Sequence, residues 1–322
     1  MMRYSTLFLL LLIVCFISLR TQAQVPDSAF RIAQDGDKEL TKGNWLAAVE
    51  DYTRAIEINS RLNHTKWRAN HGTSAEPSGD LQSDSNEIIV VDPFTAAAYT
   101  NRGNAYCALK DFDAAIADYD RALRIKPRLV AAYVGRGNAR CAKGDREGAL
   151  RDFDRALAID EYVVEAYNNH GALRHELGDI DGAMADLNRA FSINPKVPEV
   201  YFHRGYVLLA KKDLAGAIND FNRTLELKPT LAVAYHDRGT TRMHQGFMDL
   251  AVSDFSRALE LNPGLAGAYG NRGLALMVLG KETEALRDIE KCIELKPEVK
   301  TEFHRRIKLA KKLRRVNRST GH

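Results

Sequence analysis

A period of 34 residues runs through most of this chain, and it leaves few folds open. An aromatic residue followed four positions later by glycine recurs as Tyr99/Gly103, Tyr133/Gly137, Tyr167/Gly171, Tyr201/Gly205, Tyr235/Gly239 and Tyr269/Gly273, without drift. The same phase carries an alanine column (Ala115, Ala149, Ala183, Ala217, Ala251, Ala285) and an aspartate column (Asp118, Asp152, Asp186, Asp220, Asp254, Asp288). A second alanine column, Ala122, Ala156, Ala190 and Ala258, is interrupted by Thr224 and Cys292. Pro127, Pro195, Pro229, Pro263 and Pro297 close the units, with Glu161 as the departure. A fixed period in this range marks stacked supersecondary units, each able to bury its apolar face only against its neighbours.

Within a unit, Ala98, Tyr99, Gly103, Tyr106 and Leu109 fall at three- and four-residue spacing, which predicts one helix with an apolar stripe. A Lys-Asp or Gly-Asp pair follows (Lys110-Asp111, Gly144-Asp145, Gly178-Asp179, Lys212-Asp213), a helix stop and turn signal. Ala115, Ile116, Tyr119, Ala122, Leu123 and Ile125 make a second helix. Proline then ends it, having no N–H to give and restricting the residue before it. Glycine inside a helix costs about 1 kcal/mol relative to alanine. Its return in every copy predicts close approach of the paired helix, with the alanine column as the facing small surface.

These residues resemble the tetratricopeptide repeat family. Its small eighth residue, alanines at twenty and twenty-seven and proline at thirty-two correspond to Gly103, Ala115, Ala122 and Pro127, and to their equivalents 34 residues on. The family's aromatic at position eleven is present as Tyr106 and gives way to Arg140, Arg174 and Arg242. The resemblance implies an all-α, right-handed helical solenoid whose first helices line a concave groove for extended peptides or partner helices. The groove-lining positions vary here. The fifth reads Thr100, Val134, Asn168, Phe202, His236, Gly270, and the ninth Asn104, Asn138, Ala172, Tyr206, Thr240, Leu274. Thr100, Asn104, Asn138, Asn168, Phe202, Tyr206, His236 and Thr240 are therefore the candidate partner-binding residues. Gly103, Gly137, Gly171, Gly205, Gly239 and Gly273 are the structural ones. The carboxylate clamp of chaperone-binding members needs lysine and asparagine on three consecutive first helices. The second position here holds Ala97, Ala131, Glu165 and Glu199, which argues against capture of a chaperone's acidic C-terminal tail.

An earlier copy stands at 29–62. Asp51 to Ile56 matches Asp118 to Leu123 at an offset of 67, with Gly36, Gly43, Ala48 and Ala55 in place and Ser60 where proline would be. The count is then seven repeats, the first at 29–62 and six over 96–299, parted by a polar insertion at 63–95. His71 to Asn86 is rich in Gly, Ser and Asp and predicts a loop, and Glu87 to Val91 a short extended segment. Trp67 is either a loop anchor or a partner contact. Beyond Pro297, Phe303, Ile307, Ala310 and Leu313 or Arg314 share one helical face, which predicts a C-terminal capping helix within a basic tail, 300–322. The alternative for that basic surface is contact with an acidic partner or a membrane.

The tail carries nine Lys or Arg against the single acid Glu302, so the chain's +4 combines a tail of +8 with a body of −4. A nucleic-acid reading from the overall charge is therefore not expected, and the expected partner is a protein or peptide. Residues 1–23 begin with Met1-Met2-Arg3, continue through the apolar run Leu7 to Leu19 and end with Thr21-Gln22-Ala23. That pattern predicts a signal peptide cleaved after Ala23 and an exported protein, periplasmic or secreted. An uncleaved membrane anchor is the alternative, and it alone would bring in a membrane.

No enzyme constellation emerges. His170 and His175 lack metalloprotease spacing, and Gly280-Lys281 is followed by Glu282 rather than Ser or Thr. No catalytic residue, metal ligand or cofactor is expected. Cys107, Cys141 and Cys292 read as small hydrophobes. One polar column stands out. Arg102, Arg136, Arg204, Arg238 and Arg272, with His170 in the fourth copy, each lie sixteen residues before the aspartate column. Either Arg and Asp pair between helices as a structural ladder, or the arginines line a groove for carboxylates.

Overall fold

The computed structural model describes residues 26–71, 81–84, 87–90 and 92–320. Residues 1–23, read as a signal peptide, and the side chain of Trp67 lie outside the described residues. Helices α1 (Asp27–Lys42), α2 (Trp45–His71), α3 (Pro93–Ala108), α4 (Phe112–Ile125), α5 (Val130–Lys143), α6 (Arg146–Ile159) and α7 (Val164–Glu176) come first. They are followed by α8 (Ile180–Ile193), α9 (Pro198–Ala210), α10 (Leu214–Leu227), α11 (Ala232–His244) and α12 (Met248–Leu261). The last are α13 (Ala266–Leu279), α14 (Glu282–Leu295) and, after a 3-10 turn at Pro297–Val299, α15 (Lys300–Thr320).

The chain forms two compact units, one up to Leu173 and one from Arg174. In the first, α1/α2, α3/α4 and α5/α6 are hairpins, with α2 against α3 and α4 against α5. In the second, α9/α10, α11/α12 and α13/α14 are hairpins, α8 packs on α9, and α15 lies on α13 as the capping helix. The expected all-helical repeat architecture is thus present. The insertion departs from the expected loop. Residues 61–71 contain no Gly or Pro, so nothing stops α2 at Ser60 and it runs on to His71. Beyond it, β1 (Leu81–Asp84) and β2 (Glu87–Val90) pair antiparallel, Leu81 opposite Val90 and Asp84 opposite Glu87, and β2 lies beside α2.

The insertion closes at a polar knot. Buried Asn59 donates to Asp92 and Thr95, both at 2.9 Å, while Asp92 accepts the Thr95 backbone N–H at 2.9 Å and so caps α3.

Turn chemistry follows the sequence signals. Gly43, Gly144, Gly178, Gly246 and Gly280 end first helices with φ between 80° and 89°, and Lys110 (65°) and Lys212 (63°) hold the same place. Asp111, Asp145, Asp179 and Asp213 then cap the second helices, accepting a backbone N–H three residues on at 2.9–3.1 Å. Each such cap contributes about 1 kcal/mol. Phe247 and Lys281 occupy that place in the last two hairpins, where no side chain caps the helix.

The glycine column is explained differently from the sequence reading. At Gly103, Gly137, Gly205 and Gly239 the surface opposite is the ring of the second-helix aromatic, one turn beyond the alanine on the same face, and at Gly273 it is Ile289 with the carbonyl of Ala285 from the alanine column. A Cβ would lie 2.9 Å from Tyr119 at Gly103, 2.7 Å from Phe153 at Gly137 and 2.7 Å from Phe221 at Gly205. The alanine column itself is fully buried. Gly171 is buried within α7. Gly239 meets Phe255 and Asp254 at 3.0 Å, and Gly273 meets Ile289 at 2.8 Å. Tyr119 fits against two copies at once, because a Cβ at Gly135 would fall 2.6 Å from its ring. Among the cysteines, Cys107 and Cys292 are buried and Cys141 is half-buried.

The arginine and aspartate columns pair. Arg102 binds Asp118 at 2.7 and 2.8 Å, Arg204 binds Asp220 at 2.7 and 2.8 Å, and Arg272 binds Asp288 at 2.7 and 2.8 Å. Arg136 reaches Asp152 at 2.6 Å and Arg238 reaches Asp254 at 2.6 Å. Every one of these arginines lies over the tyrosine three residues before it, 5.3–5.7 Å from the ring centre. Each also reaches back to the preceding copy. Arg102 donates to Thr53 (2.9 Å), Arg136 to Asp120 (2.5 Å), Arg204 to Asn188 (3.2 Å), Arg238 to Asn222 (2.8 Å) and Arg272 to Ser256 (3.1 Å). Where His170 replaces arginine, its Nε2 lies 3.6 Å from Asp154, and Arg174 donates to Asp186 at 2.9 Å. The columns are a structural ladder, and the guanidinium groups are spent on it rather than on a groove.

Candidate protein-binding face

The first helices carry a second ladder, built from the variable ninth position and the sixth position of the next copy. In the first unit, Asn101 donates to Asp37 at 3.1 Å and Asn169 to Asn138 at 2.8 Å. In the second, Tyr206 donates to Asp237 at 2.5 Å and Asn271 to Thr240 at 3.2 Å. At Asn104 the sixth residue of the next copy is Gly135, which has no side chain to answer it. Asn104 instead accepts the Tyr119 hydroxyl at 2.6 Å, and its buried Nδ2 has no partner among the described residues, nor does Asn101 Oδ1.

These bonds revise the candidate residues. Thr100 is buried and gives its hydroxyl to the Ala96 carbonyl at 2.8 Å, so it does not line a surface. Asn168 is also buried and donates to Asn169 at 3.0 Å. Small fifth-position side chains stay under the hairpin, as Val134 and Gly270 do. Gly270 leaves room for Phe303 of the cap. Only the longer Phe202 and His236 reach the half-exposed zone. Asn104, Asn138, Tyr206 and Thr240 are half-exposed but serve the ladder as well.

The second unit brings the remaining candidates together. Phe202 meets Tyr206 edge-on at 5.1 Å and 84°, and both rest 6.0 Å from buried Phe221. His203 lies 5.9 Å from Phe202, and His175 lies 6.4 Å from Tyr206. The shelf continues as a polar relay. Tyr206 donates to Asp237, whose other oxygen is 2.9 Å from His236 Nδ1. With Nδ1 donating to the carboxylate, His236 Nε2 accepts from Asn271 Nδ2 at 3.3 Å. Arg306 of the cap donates to Asn271 Oδ1 at 3.2 Å. Burial, with the Asp237 charge beside it, pushes the Tyr206 hydroxyl above its ordinary range and keeps it a donor. Asp237, Asn271, Asn59 and the reach-back acceptors were not singled out from the sequence, since they are defined by a partner in the adjacent copy.

Two groups on this face give the units opposite responses to acid. Burial pushes the Asp37 carboxyl up to about 6, against hydrogen bonds from Tyr52 and Asn101. Burial, helped by nearby His175, pushes His203 down to about 4. Between pH 7 and 5 the folded first unit takes up a proton that its unfolded chain does not, so acidification stabilises it by about 1 kcal/mol. Over the same range unfolding lets His203 take up a proton, so the second unit loses about 2 kcal/mol. Hydrogen exchange at pH 7 and 5, corrected for intrinsic rates, should show protection rising around Asp37 and falling around His203. Asp37→Asn and His203→Gln should each flatten one response only.

Among the described residues no helix is long and apolar enough to cross a membrane, and no cluster of three or more His, Cys, Asp or Glu is arranged to hold a metal ion.

Family comparisons agree with this geometry. Models described as Tetratricopeptide repeat match residues 96–129, and again 198–231 and 266–299; a model described as TPR repeat matches 171–212. Heat shock protein STI1 of Saccharomyces cerevisiae is 31% identical over 94 residues, 29% of this chain and 16% of that protein. DnaJ homolog subfamily C member 7 of Mus musculus is 29% identical over 93 residues, 27% of this chain and 19% of its own length. The match therefore spans about a fifth or less of these curated relatives. Among solved structures, the Cut9–Hcn1 hetero-tetramer of the APC/C aligns over 92% of this chain and 58% of its own, with TM-score 0.60 and 16% identity. A tetratricopeptide repeat protein from Parabacteroides merdae aligns over 88% and 99%, with TM-score 0.57 and 17% identity. At those identities the likeness establishes the fold. With the 34-residue register, the helix hairpins and these matches all in agreement, the chain is a tetratricopeptide repeat protein.

Proposed function

We propose that this protein is a non-enzymatic interaction scaffold that holds an extended peptide or protein segment along its first-helix face. Repeat arrays of this kind act through such extended surfaces. The observation that supports the reading is a contrast. The framework columns repeat and are paired internally, whereas Phe202, Tyr206 and His236 differ from their counterparts, are half-exposed, and rest on rigid neighbours. Phe202 and Tyr206 sit against buried Phe221, so little side-chain freedom is lost when a partner arrives. An aromatic shelf beside Asp237 suits a segment that offers an apolar or aromatic side chain with hydrogen-bond donors next to it.

Selection of binding sequences from an array of extended peptides, followed by titration of variants, tests this. Phe202→Ala and Tyr206→Ala should each weaken the selected peptides by about tenfold or more. Leu46→Ala, an exposed residue of the first unit, should change nothing. Binding unaffected by both shelf variants would overturn the reading.

The scaffold is exported in this reading, with Leu7 to Leu19 acting as the signal. Mass determination of the mature protein should give a chain starting at Gln24. An intact Met1 would favour a membrane-tethered assembly factor instead.

A further inference from the structure

We propose that α15 is a peripheral membrane-binding helix that takes the headgroups of anionic phospholipids. Its inner side is already occupied. Phe303 and Ala310 are buried in the cluster that holds Leu274, Met277 and Cys292, which completes the cap. Ala310 is the last buried side chain described, yet the helix runs ten residues further to Thr320. At 1.5 Å per residue that is about 15 Å of helix beyond Ala310.

The rest of the helix has two properties together. Arg305, Lys308 and Lys312 are exposed, and Lys311, Arg314, Arg315 and Arg318 follow in the sequence. Against them stands one acid, Glu302, which lies 3.6 Å from Arg306. Leu309 is 57% exposed, more than any other large apolar side chain described in the second unit. Val316 follows it at the seven-residue step that returns to the same side of a helix. A capping helix needs a polar back, but it does not need an exposed leucine within that back. Nucleic acid would use the charge and leave Leu309 without purpose, whereas an anionic bilayer uses both, its headgroups meeting the cations and its acyl boundary the leucine.

The test uses the full chain with two kinds of vesicle, phosphatidylcholine alone and phosphatidylcholine mixed with phosphatidylglycerol. The readout is the preference between them, because Leu7 to Leu19 would act on both alike. Binding to the mixed vesicles should be about tenfold or more the stronger, and high salt should abolish the preference. The triple variant Lys308→Gln, Lys312→Gln, Arg315→Gln should reduce binding to mixed vesicles on the order of a hundredfold. Leu309→Asp should weaken it with the salt dependence retained. Circular dichroism reports whether the array is intact. Arg314→Gln with Arg318→Gln, both beyond Ala310, gives a second charge variant should the first unfold. Equal binding to both vesicles, or none to either, overturns the proposal. So does tighter binding of single-stranded RNA that survives Leu309→Asp, which would make α15 a nucleic-acid surface.

Discussion

Asp254→Ala should destabilise the second unit by about 3–5 kcal/mol, the range for breaking a buried ion pair from one side. Asp254 is buried and takes two cations, Arg238 at 3.0 and 2.6 Å and Arg242 at 2.8 Å. Alanine removes the acceptor and leaves two guanidinium groups only 15% and 18% exposed, too far inside to recover full hydration. Most of the expected loss is that stranded charge, so it should exceed what the pair is worth against an apolar substitute. Asp254→Leu combined with Arg238→Met and Arg242→Met should therefore cost much less than Asp254→Ala alone. Urea unfolding followed by circular dichroism, with hydrogen exchange to separate the two units, checks both. A loss under about 1 kcal/mol for the single variant would place this contact with ordinary surface pairs and sink the assignment of the ladder as a main brace.

Gly273→Val should cost about 3 kcal/mol, the upper end for forcing atoms into a filled interior. A Cβ there would stand 2.8 Å from Ile289 and 2.9 Å from the backbone carbonyl oxygen of Ala285. A side chain can turn aside, but a carbonyl held in the α14 ladder can only move with its helix. The comparison position is Gly239, where the nearest atoms are side-chain carbons of Asp254 and Phe255 at 3.0 Å. Valine should be the less damaging there. Ile289→Ala added to Gly273→Val should return part of the loss, since it clears the side chain and leaves the carbonyl. Thermal unfolding of the three variants measures this, and full recovery in the double variant would show that the carbonyl contact does not matter.

What could be read from the sequence followed from repetition. The helix hairpins, their glycine turns and aspartate caps, and the Arg–Asp spacing of sixteen are all local or strictly periodic, so a column of identical residues exposes them. Close approach at the glycine column was legible, but the facing ring was not, because sequence spacing places Ala115 and Tyr119 on one face without saying which reaches across; only at Gly273 is the alanine column itself the neighbour. Chain distance also hid the ladder between ninth and sixth positions, since Tyr206 and Asp237 are chemically unlike Asn138 and Asn169 and form no column. The buried place of Thr100 was hidden for a similar reason. The fifth position lies at the edge of the covered zone, and side-chain length decides whether a residue emerges, as Phe202 does. In the insertion, composition pointed to a loop only from His71 and to an extended segment at Glu87, where β2 lies; what it did not show is that α2, lacking a breaker at Ser60, runs on to His71.

Each arginine of the ladder binds its own copy with one edge and the preceding copy with the other, as Arg238 does with Asp254 and Asn222. Each copy that carries the arginine thus holds one half of two joints, one facing each way. If a whole copy is duplicated or lost, the halves that meet afterwards still match, whereas a change of any other length leaves a donor facing the wrong residue. Such a gene can lengthen or shorten by unequal recombination and yield a sound array at once. The 33-residue insertion shows the other permitted change. It leaves the stack between copies one and two and returns beside Asn59, so the pairs Asp37–Asn101 and Thr53–Arg102 form as if it were absent. Heritable novelty can accumulate there without disturbing the joints.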